Sequence, residues 1–328
     1  MSALVPVTPP LPTAPPAHLI PAVPAIVAAA GGAASYAYDE FFEGMIANPN
    51  TRTAYRHAVK QFLGWCAQHQ LGLTAIQPGH VGRYMAQHPG SVATKKQHLA
   101  AIRKLFDQMV VRHAIALNPA ASVRGERYAV TEGKTPMIPV EQARALIASL
   151  DVSAGVVSLR DRAVLGVLSF TAARSGAVAK LRVEDFYHDG TQWLLRFREK
   201  GGKDRPIPVR HDLEQWLREY TRAAGITEEQ KGKPLFRAAV ARSGRLSAKG
   251  LSYVYIWRLV KRRLKDAGLE KIFSPHSFRV KVATDLLTQG VPLEDVQHLC
   301  GHSDPRTTRI YDRRTKRVGR NLVERISG

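Results

Sequence analysis

The chain has 328 residues, with 48 Lys or Arg against 27 Asp or Glu, which gives a formal charge of +21 and a pI near 10.3. A surface this basic repels itself unless an anionic partner neutralises it, so nucleic acid, an anionic membrane or an acidic protein comes into view. No apolar run reaches the ~20 residues that span a bilayer, so no membrane partner is expected, and Cys66 and Cys300 form neither a CxxC pair nor a disulfide framework, which fits a reducing cytosol.

Residues 1–35 are rich in Ala and Pro, and the first 34 contain no Lys, Arg, Asp or Glu. Pro9, Pro10, Pro15 and Pro16 forbid a continuous helix. The first basic residue is Arg52, so no signal or transit peptide is read here. The expectation is a disordered or extended leader.

From residue 36 to about 128 the pattern is helical. In residues 51–69, Tyr55, Val59, Phe62, Leu63 and Cys66 fall on one apolar stripe. Asn50 is the expected N-cap of that helix. Residues 78–87 and 91–113 read as two further helices. The second sets Leu99, Ile102, Leu105, Phe106 and Met109 against a basic side of Lys95, Lys96, Arg103 and Lys104. Such a side is most often merely solvated; beside a DNA-handling domain it becomes a candidate phosphate contact. Residues 118–137 are polar and carry Pro, Gly and charge, the composition of a linker, which we centre on 129–137.

A second unit spans 138–328. Helices are expected at 140–150 and 159–169. Short strands at 192–198 and 205–209 flank the turn EKGGKD, a β-hairpin. Further helices are expected at 211–223, 250–267, 276–289, 292–299 and 305–311. The stretch from Arg242 to Lys265 has eight Lys or Arg and no acid, with Tyr253, Tyr255 and Trp257 interleaved. Arg242, Arg245, Lys249, Arg258, Lys261 and Arg262 are its candidate DNA contacts, expected on a helix that touches phosphates and enters a groove. After Tyr311, the positions Val318, Leu322, Val323 and Ile326 form an amphipathic pattern too short to be stable alone.

Four segments of this unit, SFTAARSGAVAKLRVEDF at 169–186, REKGGKDRPIPV at 198–209, SPHSFR at 274–279 and LCGHSDPRTTRIYDRR at 299–314, resemble the tyrosine recombinase (phage integrase) family. The likeness is weaker over 36–128. The family's active site is Arg, Lys, His-x-x-Arg, His and Tyr in that order; the matching positions here are Arg174, Lys200, His276, Arg279, His302 and Tyr311. Lys203 is a rival for Lys200 in the same turn. The resemblance implies a mainly α fold: a helical core-binding domain, and a mostly helical catalytic domain with a small antiparallel sheet. Together they would clamp DNA in the bacterial cytoplasm.

The residue types suit the chemistry that the resemblance implies. A pentavalent phosphoryl state gathers negative charge, and Arg174 and Arg279 offer planar, permanently charged donor forks to it. Tyr311, a phenol of pKa ~10, needs help to act as nucleophile at neutral pH. By the resemblance, His276 accepts its proton, His302 holds a phosphate oxygen and Lys200 protonates the 5′-oxygen leaving group. No metal or other cofactor is expected. The implied partners are double-stranded DNA with an inverted-repeat site and three further copies of the chain on two duplexes, the terminal helix docking on a neighbour or, alternatively, on its own domain. Two positions depart from the family pattern: Ala177 stands where an acidic residue is usual, and Val280 where His is usual. A type IB-like topoisomerase, or a non-catalytic DNA-binding protein on the same scaffold, remains as an alternative.

Overall fold

The computed structural model describes residues 23–127, 133–198, 204–241 and 243–312. Contacts within the chain divide it into two units, Met1–Ala129 and Val130–Gly328.

In the first unit, α1 (Ala25–Ala28) and α2 (Gly32–Glu40) precede a π turn, Phe41–Met45. Then come α3 (Pro49–Gln68), α4 (Pro78–Gln87) and α5 (Val92–Val111). Residues 23–35 therefore correct the expected leader. They are largely helical, and Val27 and Ala34 are fully buried in the same core as Phe41, Phe62 and Phe106. Gly31, at φ +99°, separates the two short helices. Residues 1–22 lie outside the described residues.

The N-cap of α3 also moves. Asn48 accepts the N–H groups of Asn50 and Thr51, and Pro49 occupies the first helical position. Asn50 is thus inside the helix, because a proline at that position gives up a donor the helix could not use anyway. On α5, Leu99, Ile102, Leu105, Phe106 and Met109 are buried as expected. The first part of the segment read as a linker is anchored as far as Val123. Arg103 donates to the carbonyls of Ala120 and Val123, and Asn118 donates to the Arg103 carbonyl at 3.0 Å.

The second unit begins with α6 (Val140–Ala148), α7 (Val156–Phe170) and α8 (Ser175–Ala179). Strands β1 (Phe186–His188), β2 (Trp193–Arg198) and β3 (Asp204–Pro208) follow as an antiparallel sheet in that order. The expected hairpin is β2–β3, with Phe197 opposite Arg205. After α9 (His211–Ala223), a second antiparallel pair, β4 (Arg237–Ala239) and β5 (Leu246–Gly250), lies just ahead of the helix expected at 250–267 and takes in its first residue. Helices α10 (Tyr253–Asp266), α11 (Pro275–Thr288), α12 (Leu293–Cys300) and α13 (Pro305–Arg309) complete the described residues.

The core of this unit gathers α7, α9, α10 and the sheet around Leu165, Leu195, Leu217, Phe236 and Leu259. Each such side chain contributes about 1.5–3 kcal/mol when fully buried. A smaller cluster joins Ala172, Val280, Ala283, Val296 and Cys300 to Tyr311. The fold is mainly helical with small antiparallel sheets.

Candidate active site

Helix α7 ends at Thr171, whose hydroxyl donates back to the Val167 carbonyl at 2.7 Å. The next residue, Ala172, takes a left-handed conformation at φ +52°, which for a residue with a Cβ costs about 1–2 kcal/mol. That turn delivers Arg174 as the N-cap of α8, with its side chain exposed. Among the described residues, no hydrogen bond or ion pair is made by the Arg174 side chain. The absent acid at Ala177 agrees with that: the half-buried methyl group packs on the core instead.

Arg279 comes from the buried face of α11 and is 1% exposed. Its Nη1 donates to the Ala172 carbonyl and its Nη2 to that of Cys300 at 2.6 Å. Its Nε is buried without a partner among the described residues. An orphan N–H on a buried cation is a ready donor for an anion. Burial lowers the pKa of Arg279, and the Arg174 charge adds to that effect.

His276 lies one turn earlier on α11, held at the helix start by the Ser274–Ser277 capping box. Its Nε2 is 3.4 Å from the Tyr311 hydroxyl oxygen. Desolvation lowers its pKa, and the charges of Arg279 and Arg174 push the same way. His302 follows Gly301, which ends α12 in the left-handed conformation. Its amide donates to the Gln297 carbonyl, and the Gln297 side chain donates to its carbonyl at 2.9 Å, so the loop is closed from both sides. His302 Nδ1 is 2.9 Å from the Thr308 hydroxyl. Its pKa is pushed down to about 3, first by desolvation and then by Arg279, Arg174 and other nearby cations.

Tyr311 follows α13 and is 7% exposed. Its ring stacks on His302, with centroids 5.6 Å apart and planes 11° from parallel. Its amide donates to the Thr308 carbonyl, and the Thr284 hydroxyl donates to its own carbonyl at 3.2 Å. Four of the six expected residues, His276, Arg279, His302 and Tyr311, are thus brought together. The charge of the fifth, Arg174, bears on three of them. Lys200 and its rival Lys203 lie outside the described residues, as does Arg242. Val280 packs into the apolar cluster beneath Tyr311. The roles of Ala172, Thr284 and Thr308 as supports carry no signal in the sequence, because each acts through a backbone atom or a single hydroxyl.

The expected DNA contacts differ in exposure and in the partners described for them. Lys95 pairs with Glu126 at 3.0 Å, and Arg103 is committed to the carbonyls of Ala120 and Val123. Lys96 and Lys104 are exposed on α5. Arg245 and Lys249 are exposed on the β4–β5 hairpin, which corrects their expected place on a helix. On α10, Arg258 is exposed, Lys261 lies over the Trp257 ring at 5.4 Å, and Arg262 reaches Asp161 at 2.9 Å. Tyr253 and Trp257 face out, whereas the ring of Tyr255 receives Arg160. Among the described residues, no cluster of three or more His, Cys, Asp or Glu could hold a metal ion, and no helix is long and apolar enough to cross a membrane.

Comparison with known proteins places the chain in a family. Residues 137–317 match the phage integrase family, and residues 39–113 match the phage integrase N-terminal SAM-like domain. The chain is 31% identical over 271 residues to the tyrosine recombinase XerD of Ralstonia nicotianae, covering 80% of this chain and 83% of the relative. It is 30% identical over 274 residues to XerD of Corynebacterium glutamicum, covering 80% and 86%. Among solved structures, it resembles the XerH site-specific recombinase bound to a palindromic difH substrate in a post-cleavage complex. That likeness has a TM-score of 0.65 at 22% identity, over 81% of this chain and 76% of that one. A lambda integrase (75–356) dimer bound to a COC′ core site gives 0.59 at 17% identity, over 87% and 97%. At those identities the two structures speak to the fold alone. The family match over more than half the chain, and relatives that share nearly a third of its residues along most of their length, carry the assignment: this chain belongs to the tyrosine recombinases of the phage integrase family.

Proposed function

We propose that the chain is a site-specific recombinase that cuts and rejoins DNA through a 3′-phosphotyrosine at Tyr311. The observation that carries this is the approach of the Tyr311 hydroxyl to His276 Nε2 at 3.4 Å, beside a buried Arg279 whose Nε has no partner among the described residues. A neutral imidazole can accept the phenolic proton, and the lowered pKa keeps His276 neutral at physiological pH. Attack forms the Tyr311 Oη–P bond and breaks the P–O5′ bond. Arg174 and Arg279 stabilise the charge gathered on the non-bridging oxygens, an effect of about 3–4 kcal/mol per donor lost. With Thr308 donating to its Nδ1, neutral His302 carries its proton on Nε2 and donates to a phosphate oxygen. Lys200 protonates the departing 5′-oxygen. No metal takes part, since the guanidiniums and the lysine supply the positive charge.

The freed 5′-hydroxyl then attacks the phosphotyrosine of a partner strand. Four protomers on two duplexes carry this through a Holliday junction, at an inverted-repeat site. Lys96, Lys104, Arg245, Lys249 and Arg258 are the exposed cations we assign to the DNA. The tail at 313–328 lies outside the described residues; its apolar positions suit docking on a neighbouring protomer. A groove of about 800 Å³ in the second unit, lined by Ile147, Phe170, Leu286 and Leu299 among others, is of a size to receive one face of a short helix.

The test is Tyr311→Phe on a nicked suicide substrate, read on a denaturing gel. The variant keeps the ring and its stacking on His302, so it should bind DNA and form no covalent band. A covalent band at the unsubstituted level would remove Tyr311 from its role.

A further inference from the structure

Helix α13 stands in the chain between His302 and Tyr311, and one of its residues reaches both. Thr308 is fully buried. Its hydroxyl oxygen is 2.9 Å from His302 Nδ1, and its carbonyl accepts the Tyr311 amide at 3.0 Å. Past that turn the Tyr311 ring lies back on the His302 imidazole, 11° from parallel. The backbone of His302 is fixed separately, by Gln297 from the end of α12. The ring is thus held from one helix at its backbone and from the next at its Nδ1.

A neutral imidazole has one donor nitrogen and one acceptor, and the partner of one nitrogen decides the role of the other. Burial and the surrounding cations keep His302 neutral. Among the described residues, the contact with His302 is the one hydrogen bond of the Thr308 hydroxyl. If Nδ1 carried the ring proton, that hydroxyl would have to accept it. Its own hydrogen would then be buried without an acceptor, which is unfavourable. With the hydroxyl donating, its hydrogen is used, Nδ1 accepts, and the ring proton goes to Nε2. The opposite tautomer would turn a lone pair, not a donor, toward an anion.

We propose that Thr308 is a positioning residue for His302: its hydroxyl selects the tautomer that presents Nε2–H to the scissile phosphate, and its carbonyl keeps Tyr311 in register with that donor. The proposal rests on the reading of His302 as a donor to a phosphate oxygen.

The experiment reads the tautomer and the rate separately. Nitrogen-15 NMR of the full chain, labelled at histidine and with His302→Ala identifying the signal, should show His302 neutral and protonated on Nε2. A proton on Nδ1 overturns the proposal. Cleavage of the nicked substrate at saturating protein is then compared for Thr308→Val, Thr308→Ser, His302→Ala and the double variant Thr308→Val, His302→Ala, with folding followed by circular dichroism. His302→Ala should lose roughly 10²–10³-fold, the usual size of one donor lost from a developing oxyanion. Thr308→Val exchanges the hydroxyl for a methyl group and should lose at least about tenfold, a part of that same effect. Thr308→Ser keeps the donor and should stay within about threefold of the unsubstituted protein. Added to His302→Ala, Thr308→Val should change the rate by less than about threefold, because a residue that acts through the imidazole has nothing left to position. Should Thr308→Val not fold, Thr308→Ala takes its place in the same cycle, and the position of the ring proton in the unsubstituted protein decides without either. If His302→Ala cleaves at the unsubstituted rate, the reading of His302 falls and the proposal with it. If His302→Ala loses activity while the Thr308 substitution costs the same factor with and without the imidazole, or costs nothing, Thr308 does not position His302.

Discussion

Histidines 98 and 302 sit where a positive charge is hardest to hold, and each carries a consequence. His302 stays neutral across the working range, which suits a donor to phosphate better than a proton carrier. His98, 3% exposed on α5, has its Nδ1 at 3.1 Å from both the Tyr84 hydroxyl and His88 Nε2. The Gly90 amide donates to His88 Nδ1 at 2.9 Å, so the neutral His88 ring carries its proton on Nε2 and donates it to His98. Burial and the neighbouring His88 and His57 push the pKa of His98 down to about 4. The folded state then binds fewer protons than the unfolded state between about pH 6.5 and 4. The stability this group contributes is present above pH 6.5 and is lost as the pH falls toward 4, by about 3 kcal/mol at 1.36 kcal/mol per pKa unit. Urea unfolding at pH 7.5 and pH 4 should show a smaller pH effect in His98→Gln than in the parent; an equal effect in both would contradict this. The candidate set was picked out at this scale because order, spacing and local sequence agree at Arg174, His276, Arg279, His302 and Tyr311, four of which the fold brings together. The burial of Arg205 on β3 was not legible, because an arginine in a short strand usually faces solvent and nothing in RPIPV marks it.

Helix α10 is basic along its length, yet one buried acid sets how it sits. Asp161, fully buried on α7, accepts from Arg160, Arg262 and Arg263, with Arg263 Nη2 at 2.7 Å and Arg262 Nη2 at 2.9 Å. Asp161→Asn would leave three guanidiniums around a neutral amide. Breaking a buried pair in this way costs about 3–5 kcal/mol. Urea unfolding should show a loss of that size, and a loss below about 1 kcal/mol would mean that the arginines find other partners. The long helices α3 and α5 were readable from their apolar stripes. The β4–β5 pair was not: RAA and LSAKG lack the β-branched alternation that marks a strand, and their charges read as part of the helix that follows. The short helices α1 and α2 hid in an Ala- and Pro-rich composition, where Val27 and Ala34 gave no periodic signal before packing placed them in the core.

Across the whole chain, the +21 charge calls for a polyanion. Neutralising six to ten phosphates per protomer releases as many counterions, so affinity for DNA should fall by roughly 10³–10⁵ between 50 and 200 mM salt. A flat titration over that range would assign the charge to another partner. The division into two units was readable from the polar stretch after residue 118, though its first residues pack onto α5 rather than hang free. The resemblance supplied the architecture, because no composition alone distinguishes one helical DNA-binding scaffold from another. Strand exchange by this chain turns on the proposed covalent bond to Tyr311. Its most direct measurement is mass spectrometry of the trapped adduct after nuclease and protease digestion. We predict a nucleotide joined through its 3′-phosphate to the peptide containing Tyr311, with fragmentation placing it on the phenol. A nucleotide on any other residue, or one joined through its 5′-phosphate, would contradict the account.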